Sequence, residues 1–314
     1  MKIIFFGLGS IGRRHARLIL NEYSYEVFAY RTNKGQYNND LDIPEVYDWD
    51  QVKSINPDIV FITNPTNLHI ETAINNAELD CAIFMEKPIG ANLNDFDTLL
   101  RLVEKNKLVT YVGYDLRFHP VIKKLKKYFH NNQFLHYRAV CTSYLPDWRP
   151  EQNHRKSYSS INELGGGVLL DLSHEFDYTA YLLGGITELD GNFERKSDIT
   201  VDSEDYANIL VKSPIGYANI HINFISHYTT RKIYIDFAGF SVVGDLINNS
   251  VVEYKNGRVI FEKNYELDND DIYKEQLKYF FGNIHNPKMQ NNILEASTLF
   301  QKIIDFKNKI NTSG

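Results

Sequence analysis

The sequence of 314 residues predicts an α/β protein: an N-terminal Rossmann domain with a doubly wound parallel sheet, then a C-terminal α+β domain with a large, mainly antiparallel open sheet. Three observations predict it. Up to about Tyr114, short β-branched or apolar runs alternate with amphipathic helical stretches; the first run passes straight into a glycine-rich turn; beyond His119 the runs lengthen into alternating strands. The length also exceeds what one core fills comfortably, so domains at 1–118 and 119–314 are expected.

In the first domain, strands are expected at Lys2 to Phe6, Glu26 to Tyr30, Asp58 to Thr63, Cys81 to Glu86 and Leu108 to Gly113. Helical stretches separate them, which makes the sheet parallel and doubly wound. The second domain opens with a helix at His119 to His130. Strands at Phe134 to Tyr144, Tyr217 to Ser226 and Arg231 to Gly239 then read as one antiparallel sheet. Helices near Gly167 to Leu183 and Tyr273 to Phe281 are expected on one side of it, with a last helix near Ile293 to Lys309.

Composition narrows the function. With 43% hydrophobic and 24% charged residues the chain is ordinary for a globular enzyme, and its net charge of -6 gives no reason to expect nucleic acid or an anionic membrane as partner. Cys81 and Cys141 are far apart in apolar segments, as expected of reduced core thiols and not of a disulfide framework or metal site. The Met1 to Phe6 run is too short for a signal peptide, and no run of about 18 apolar residues occurs. A cytoplasmic location is the resulting expectation.

The first strand runs into Gly7-Leu8-Gly9-Ser10-Ile11-Gly12, followed by a helix with apolar Ala16, Leu18 and Leu20. Glycines at these spacings allow a tight turn, close approach of backbone to a pyrophosphate, and close helix-to-strand packing. Dinucleotide binding is therefore expected, with Gly7, Gly9, Ser10, Ile11 and Gly12 forming the cradle. The second strand ends in Tyr30-Arg31-Thr32, where an NAD enzyme usually carries an acidic residue for the ribose. Arg31 and Thr32, with Asn33 and Lys34 after them, offer donors to a 2′-phosphate and no carboxylate to repel it. NADP is the expected cofactor; the alternative is that Arg31 only stacks on adenine and NAD also serves.

Three further motifs carry a resemblance: Asn64-Pro65-Thr66-Asn67-Leu68-His69, Glu86-Lys87-Pro88, and Gly165-Gly166-Gly167-Val168-Leu169-Leu170-Asp171-Leu172-Ser173-His174. Together with the glycine turn they resemble the Gfo/Idh/MocA oxidoreductase family over essentially the whole chain. The stretches Tyr114 to Pro120 and Ser143 to Pro150 look like a subgroup associated with bacterial surface-polysaccharide or nonulosonic-acid biosynthesis. The resemblance implies that Asn64, Pro65, Asn67, His69, Glu86 and Lys87 line the cofactor site, and that Lys87 points into the active site. Without it, Lys87 reads as a solvated strand-end lysine. The family also pairs an Asp with a His four residues later on one helix; Asp171 and His174 stand three apart, as if one residue were lost. Either spacing keeps both on one helical face.

That face is itself informative. Leu169, Leu172, Phe176, Ala180 and Leu183 fall on one side of the expected helix, and Asp171, His174, Glu175 and Tyr178 on the other, which is expected to be polar. His174 is the expected acid/base, with Asp171 orienting it and Lys87 polarising the reacting oxygen.

Between Tyr144 and the glycine run, Trp148, Arg149, His154, Arg155, Lys156 and Tyr158 combine aromatics and cations in an acidic protein. That pattern fits a surface for a polar ring bearing a carboxylate or phosphate; a loop merely anchored by Trp148 is the alternative. Arg117, Tyr144, Trp148, Arg149, Tyr158 and His174 are the expected substrate contacts, with residues 163–167 a flexible entry to the catalytic helix. The expected activity is hydride transfer between nicotinamide and a hydroxyl or ketone of a sugar, acidic or nucleotide-linked, by a homodimer or homotetramer. The alternatives are a redox-neutral epimerase or glycosidase holding NAD tightly, and a dinucleotide-sensing regulator.

Overall fold

The computed structural model describes residues 1–32 and 39–311, so Asn33 and Lys34 lie outside the described residues. The chain divides into two compact units. One comprises Met1–Tyr114 with Gln276–Phe300; the other comprises Asp115–Glu275 with the residues from Gln301 onward. The segment Gln276–Phe300, which the sequence reading gave to the second domain, packs with the first.

In the first unit, β1 (Lys2–Phe6), β2 (Glu26–Tyr30), β3 (Glu45–Val46), β4 (Ile59–Ile62), β5 (Ala82–Met85) and β6 (Thr110–Val112) alternate with α1 (Ser10–Glu22), α2 (Trp49–Ile55), α3 (His69–Asn76) and α4 (Phe96–Asn106). Among the described residues the sheet order is β3-β2-β1-β4-β5-β6, all pairs parallel, with the strand order reversing beside β1. The register places Phe5, Phe61, Phe84 and Tyr111 directly across successive strands. Their rings form a ladder with centroid separations of 4.7, 4.6 and 5.2 Å, and Phe280 closes it edge-on against Phe61 and Phe84. Such cross-strand aromatic pairs add roughly 0.5–1.5 kcal/mol each beyond their buried area and pin the register of the strands that hold the site.

In the second unit, α5 (Pro120–Tyr128) and β7 (Phe134–Tyr144) precede the short helix α6 (Val168–Asp171) and α7 (His174–Leu183). The strands β8 (Glu188–Glu194), β9 (Tyr206–Ser213), β10 (Gly216–Asn223), β11 (Ile225–Phe237), β12 (Phe240–Asp245), β13 (Ser250–Lys255) and β14 (Arg258–Asn264) follow; α8 (Asp271–Gly282) and α9 (Ile293–Asn311) come after them, with their residues inside 276–300 belonging to the first unit. The sheet order is β14-β13-β12-β11-β7-β10-β9-β8, antiparallel except where β10 runs parallel to β7. Burial alternates along β9, with Ala207, Ile209 and Val211 inward and Asn208, Leu210 and Lys212 outward, so one face is covered and the other open. The two strands expected at 217–226 and 231–239 are divided differently: β11 begins at Ile225 and continues through a register shift between Ile225 and Thr230. That bulge leaves Tyr228 exposed.

Two expectations about the catalytic helix are corrected. It is broken at Leu172 and Ser173, with Leu172 at φ -92°, ψ 31°, where the chain turns from α6 into α7. The face expected to be solvated is buried: Asp171, Glu175 and Tyr178 are 4%, 0% and 0% exposed, while Ala180 on the expected core face is half-buried. The reason is pairing, since a carboxylate is tolerated inside when a partner compensates it, and Glu175 meets Arg231 of β11 at 2.7 Å. The glycine entry is also no loose hinge. Gly165 and Gly167 take φ 86° and 99°, and a Cβ on Gly166 would meet carbonyl oxygens of Ser159 and Ile161 at 2.8 and 2.7 Å. Among the described residues no helix is long and apolar enough to cross a membrane.

Candidate active site

In the first unit, the expected cofactor residues converge at the C-terminal ends of the parallel strands, where ligands of such sheets collect. Gly7 follows β1, Asn64 follows β4 by two residues, and Glu86 and Lys87 follow β5. Gly7 has φ 105°, and a Cβ there would press on Asn64 N at 2.6 Å, so the turn needs glycine on both conformational and steric grounds. Gly12 packs equally tightly, its added Cβ meeting Thr63 Oγ1 at 2.7 Å. Gly9 differs, with nothing within 4 Å of an added Cβ. Gly9 caps α1 without a side-chain hydrogen bond, and the first turn of the helix carries no acidic residue. Open space beside Gly9, at the positive end of a 13-residue helix, is what an incoming pyrophosphate requires.

The loops after β4 and β5 are tied together. His69 is 1% exposed, with Nδ1 2.8 Å from Pro88 O and Nε2 3.0 Å from Asn64 O. Desolvation pushes the pKa of this ring down, and the two carbonyl contacts oppose it. Asn64 Nδ2 donates to Thr72 Oγ1 at 2.8 Å. His69 therefore holds the loop of Asn64, exposed Pro65 and exposed Asn67 against the segment carrying Lys87. Glu86 turns inward, 2.8 Å from Nε2 of the fully buried His15 on α1, and its Oε2 accepts from Lys87 N at 3.3 Å. A Cβ on Gly113 would touch that carboxylate. Glu86 thus links the dinucleotide helix to the loop of Lys87, a role the sequence reading did not assign.

At the end of β2 the expectation of a carboxylate-free surface is corrected. Arg31 Nη1 lies 3.3 Å from Glu45 Oε1 on β3, and Tyr47 donates to the other oxygen of Glu45 at 2.6 Å. The two-residue strand β3 brings Glu45 there, and its sequence carries no strand signal of its own. Thr32 is exposed.

In the second unit, Asp171 Oδ1 accepts from Tyr158 OH at 2.8 Å. Burial, then the Asp171 charge, drives the Tyr158 phenol well above its ordinary range, and Arg149 partly opposes this. His174, at the start of α7, points Nε2 toward Asp115 Oδ1 at 3.6 Å. Arg117 is engaged by Asp177 of α7, its Nε and Nη2 donating at 2.9 and 2.7 Å, and it also stacks on Tyr181. This contact makes Arg117 a brace of α7 more than a free substrate ligand. Trp148 Nε1 donates to Ser143 Oγ at 2.8 Å and its ring meets Phe224 edge-on, yet 41% of the residue stays exposed. Tyr144 packs on His227 at a centroid distance of 4.0 Å, and Arg149 is exposed. Asp115, Asp177 and Glu175 were missed as site or support residues. Asp115 lies inside the quoted stretch Tyr114 to Pro120 and Asp177 three residues beyond His174, but only folding gives them partners.

Cys81 and Cys141 are buried free thiols, Cys81 pushed up to about 12 by desolvation, in keeping with core roles. Among the described residues no cluster of His, Cys, Asp and Glu suits a metal ion.

Comparison with known proteins adds the lineage. The profile described as "Oxidoreductase family, NAD-binding Rossmann fold" of the GFO/IDH/MocA group matches residues 1–114, and the "GFO/IDH/MocA C-terminal domain" profile matches residues 122–245. Myo-inositol 2-dehydrogenase of Thermotoga maritima is 29% identical over 69% of this chain and 61% of its own length. The 2,7-anhydro-N-acetylneuraminate hydratase of Mediterraneibacter gnavus is 27% identical over 53% of this chain and 44% of its own. The matches thus span less than two thirds of the length of these relatives. UDP-N-acetylglucosamine 3-dehydrogenase from Acidithiobacillus ferrooxidans shares the fold, with 19% identity, 98% and 96% coverage and a TM-score of 0.77. So does a levoglucosan dehydrogenase solved with NADH and levoglucosan, at 15% identity, 98% and 97% coverage and a TM-score of 0.82.

Proposed function

Because the chain belongs to the Gfo/Idh/MocA oxidoreductase family, we propose that it transfers hydride between a nicotinamide dinucleotide and a hydroxyl or ketone of a sugar. The carrying observation is the cradle at Gly7, Gly9 and Gly12, open only at Gly9, at the head of α1 in a parallel sheet. The nicotinamide, when bound, supplies the hydride chemistry. The protein's own work is to hold the dinucleotide on the α1 terminus and to move the proton. His174 takes the hydroxyl proton during oxidation and returns it during reduction, and Lys87 polarises the same oxygen.

The finer reading is an acidic or nucleotide-linked sugar, supported by exposed Arg149 beside Trp148 and Tyr158, in surface-polysaccharide biosynthesis in the cytoplasm. A homodimer or homotetramer through the open face of the large sheet completes it. NADP is retained as the preferred dinucleotide on condition that Arg31 exchanges Glu45 for a 2′-phosphate. A redox-neutral reaction is the second reading, favoured by the hydratase among the relatives.

The test is a screen of inositols, anhydrosugars, nucleotide sugars and nonulosonic acids for NADPH or NADH turnover, repeated with His174→Asn. A fall of about 10²- to 10⁴-fold in the single-turnover hydride-transfer rate is expected, the usual share of a positioned acid or base. A rate within about threefold of the unmodified enzyme at every pH assigns the proton to another group. Product formation without net change in dinucleotide redox state would replace the dehydrogenase reading by the redox-neutral one.

A further inference from the structure

Carboxylates crowd the start of α7, and the contacts sort them. Glu175 is bound by Arg231 at 2.7 Å, Asp177 by Arg117 at 2.7 Å, and Asp171 by the Tyr158 hydroxyl at 2.8 Å. Asp115, in the 3₁₀ turn Asp115–Phe118, is 7% exposed and brings Oδ1 to 3.6 Å from His174 Nε2. Asp171 sits before the break at Leu172 and Ser173, and His174 begins the next helix, so the two no longer share one continuous helical face.

We propose that Asp115, and not Asp171, is the carboxylate that sets the charge state of His174, acting as a positioning residue for the proton transfer assigned above. At 3.6 Å the carboxylate acts through charge more than through a hydrogen bond of normal length, and it favours the imidazolium. Arg117 and Arg231, the cations paired with α7, each meet a carboxylate of that helix, Asp177 and Glu175. Tyr158 donates to Asp171 Oδ1 and so engages one of the two oxygens of that carboxyl group. With the helix broken between Asp171 and His174, the support of the base passes from its own helix to the turn that precedes α5. Tyr158 becomes a positioning partner of Asp171.

The inference rests on His174 as acid/base only for its use in catalysis; the coupling itself is measurable without a substrate. Histidine side chains are labelled with ¹⁵N in the full-length protein, the His174 signal is assigned by its loss in His174→Asn, and its titration is followed by NMR. Asp115→Asn is expected to lower the midpoint by about one to two pH units, Asp115→Glu to restore most of it, and Asp171→Asn to leave it in place. An unchanged midpoint in Asp115→Asn, or an equal fall in Asp171→Asn, overturns the proposal. Should Asp115→Asn fail to fold, the unmodified protein decides: the Asp115 carboxyl ¹³C shift must report the His174 titration, and its failure to do so overturns the pairing. Failure of these readouts would leave hydride transfer standing, whereas absence of turnover on every sugar would leave the pairing standing.

Discussion

Arg31 shows how far a single side chain carries a specificity argument. Its guanidinium suits a 2′-phosphate, yet it lies 3.3 Å from Glu45, so a 2′-phosphate has to compete with a carboxylate already in place. Glu45→Gln is expected to shift the affinity ratio toward NADP, and Arg31→Asp to shift it toward NAD. Fluorescence titration with both dinucleotides checks this; a ratio unmoved by either change means Arg31 does not face the ribose. Gly7, Gly9 and Gly12 were legible as residues because turn geometry is local. Glu45 was not, because only strand pairing between β2 and β3 brings it to Arg31.

The glycine turn and the start of α5 yield predictions at the scale of elements. Gly9 has an ordinary φ of -68° and open space around an added Cβ, whereas Gly12 is packed against Thr63. Gly9→Ala should therefore leave the unliganded protein as stable as before and weaken dinucleotide binding. Gly12→Ala should lower the melting temperature of the unliganded protein. Thermal denaturation and binding titration of the two variants check the split, and equal destabilisation would show that the space at Gly9 is not reserved for a ligand.

His119 caps α5: its Nδ1 accepts from Val121 N at 3.2 Å and its Nε2 lies 3.1 Å from Asn249 Oδ1, an arrangement that needs the neutral ring. Desolvation first, then the Arg231 charge, lowers its pKa to about 4 against the Asn249 contact. The unfolded chain, with an ordinary pKa near 6.5, binds the proton first as pH falls. Stability is therefore full above about pH 6.5 and drains at up to about 1.4 kcal/mol per pH unit on the way to about 4, below which the loss is complete. In His119→Asn, which preserves a capping side chain, urea denaturation should show a flatter acid limb; an unchanged slope would remove His119 from the acid response.

At the scale of the molecule, a ligand that binds only the native state stabilises it by mass action. The preferred dinucleotide at a hundredfold excess over its Kd is expected to add about 2.7 kcal/mol, read as a rise in Tm that grows with concentration. No rise with either NAD or NADP would contradict the cofactor assignment. Folding also moves residues between units in a way no periodicity announces: Phe280 completes the aromatic ladder of the first unit from far along the chain.

The Rossmann order and the glycine turn were determined by the sequence alone, because glycine spacing and strand-helix rhythm are properties of short segments, whereas the roles proposed for Lys87, Asp171 and His174 came from the family resemblance. The partners of those residues were decided by tertiary structure. Glu86 with His15, Arg31 with Glu45, Arg117 with Asp177 and His174 with Asp115 all join residues from different elements. The broken helix belongs to the same class: one helical face was read where Leu172 and Ser173 make two. The polar face was expected to meet water because its residues are polar or charged, but a buried charge is tolerated when an opposite charge inside compensates its desolvation. Arg231 on β11 supplies that charge to Glu175, and periodicity along one segment carries no information about what the neighbouring strand presents.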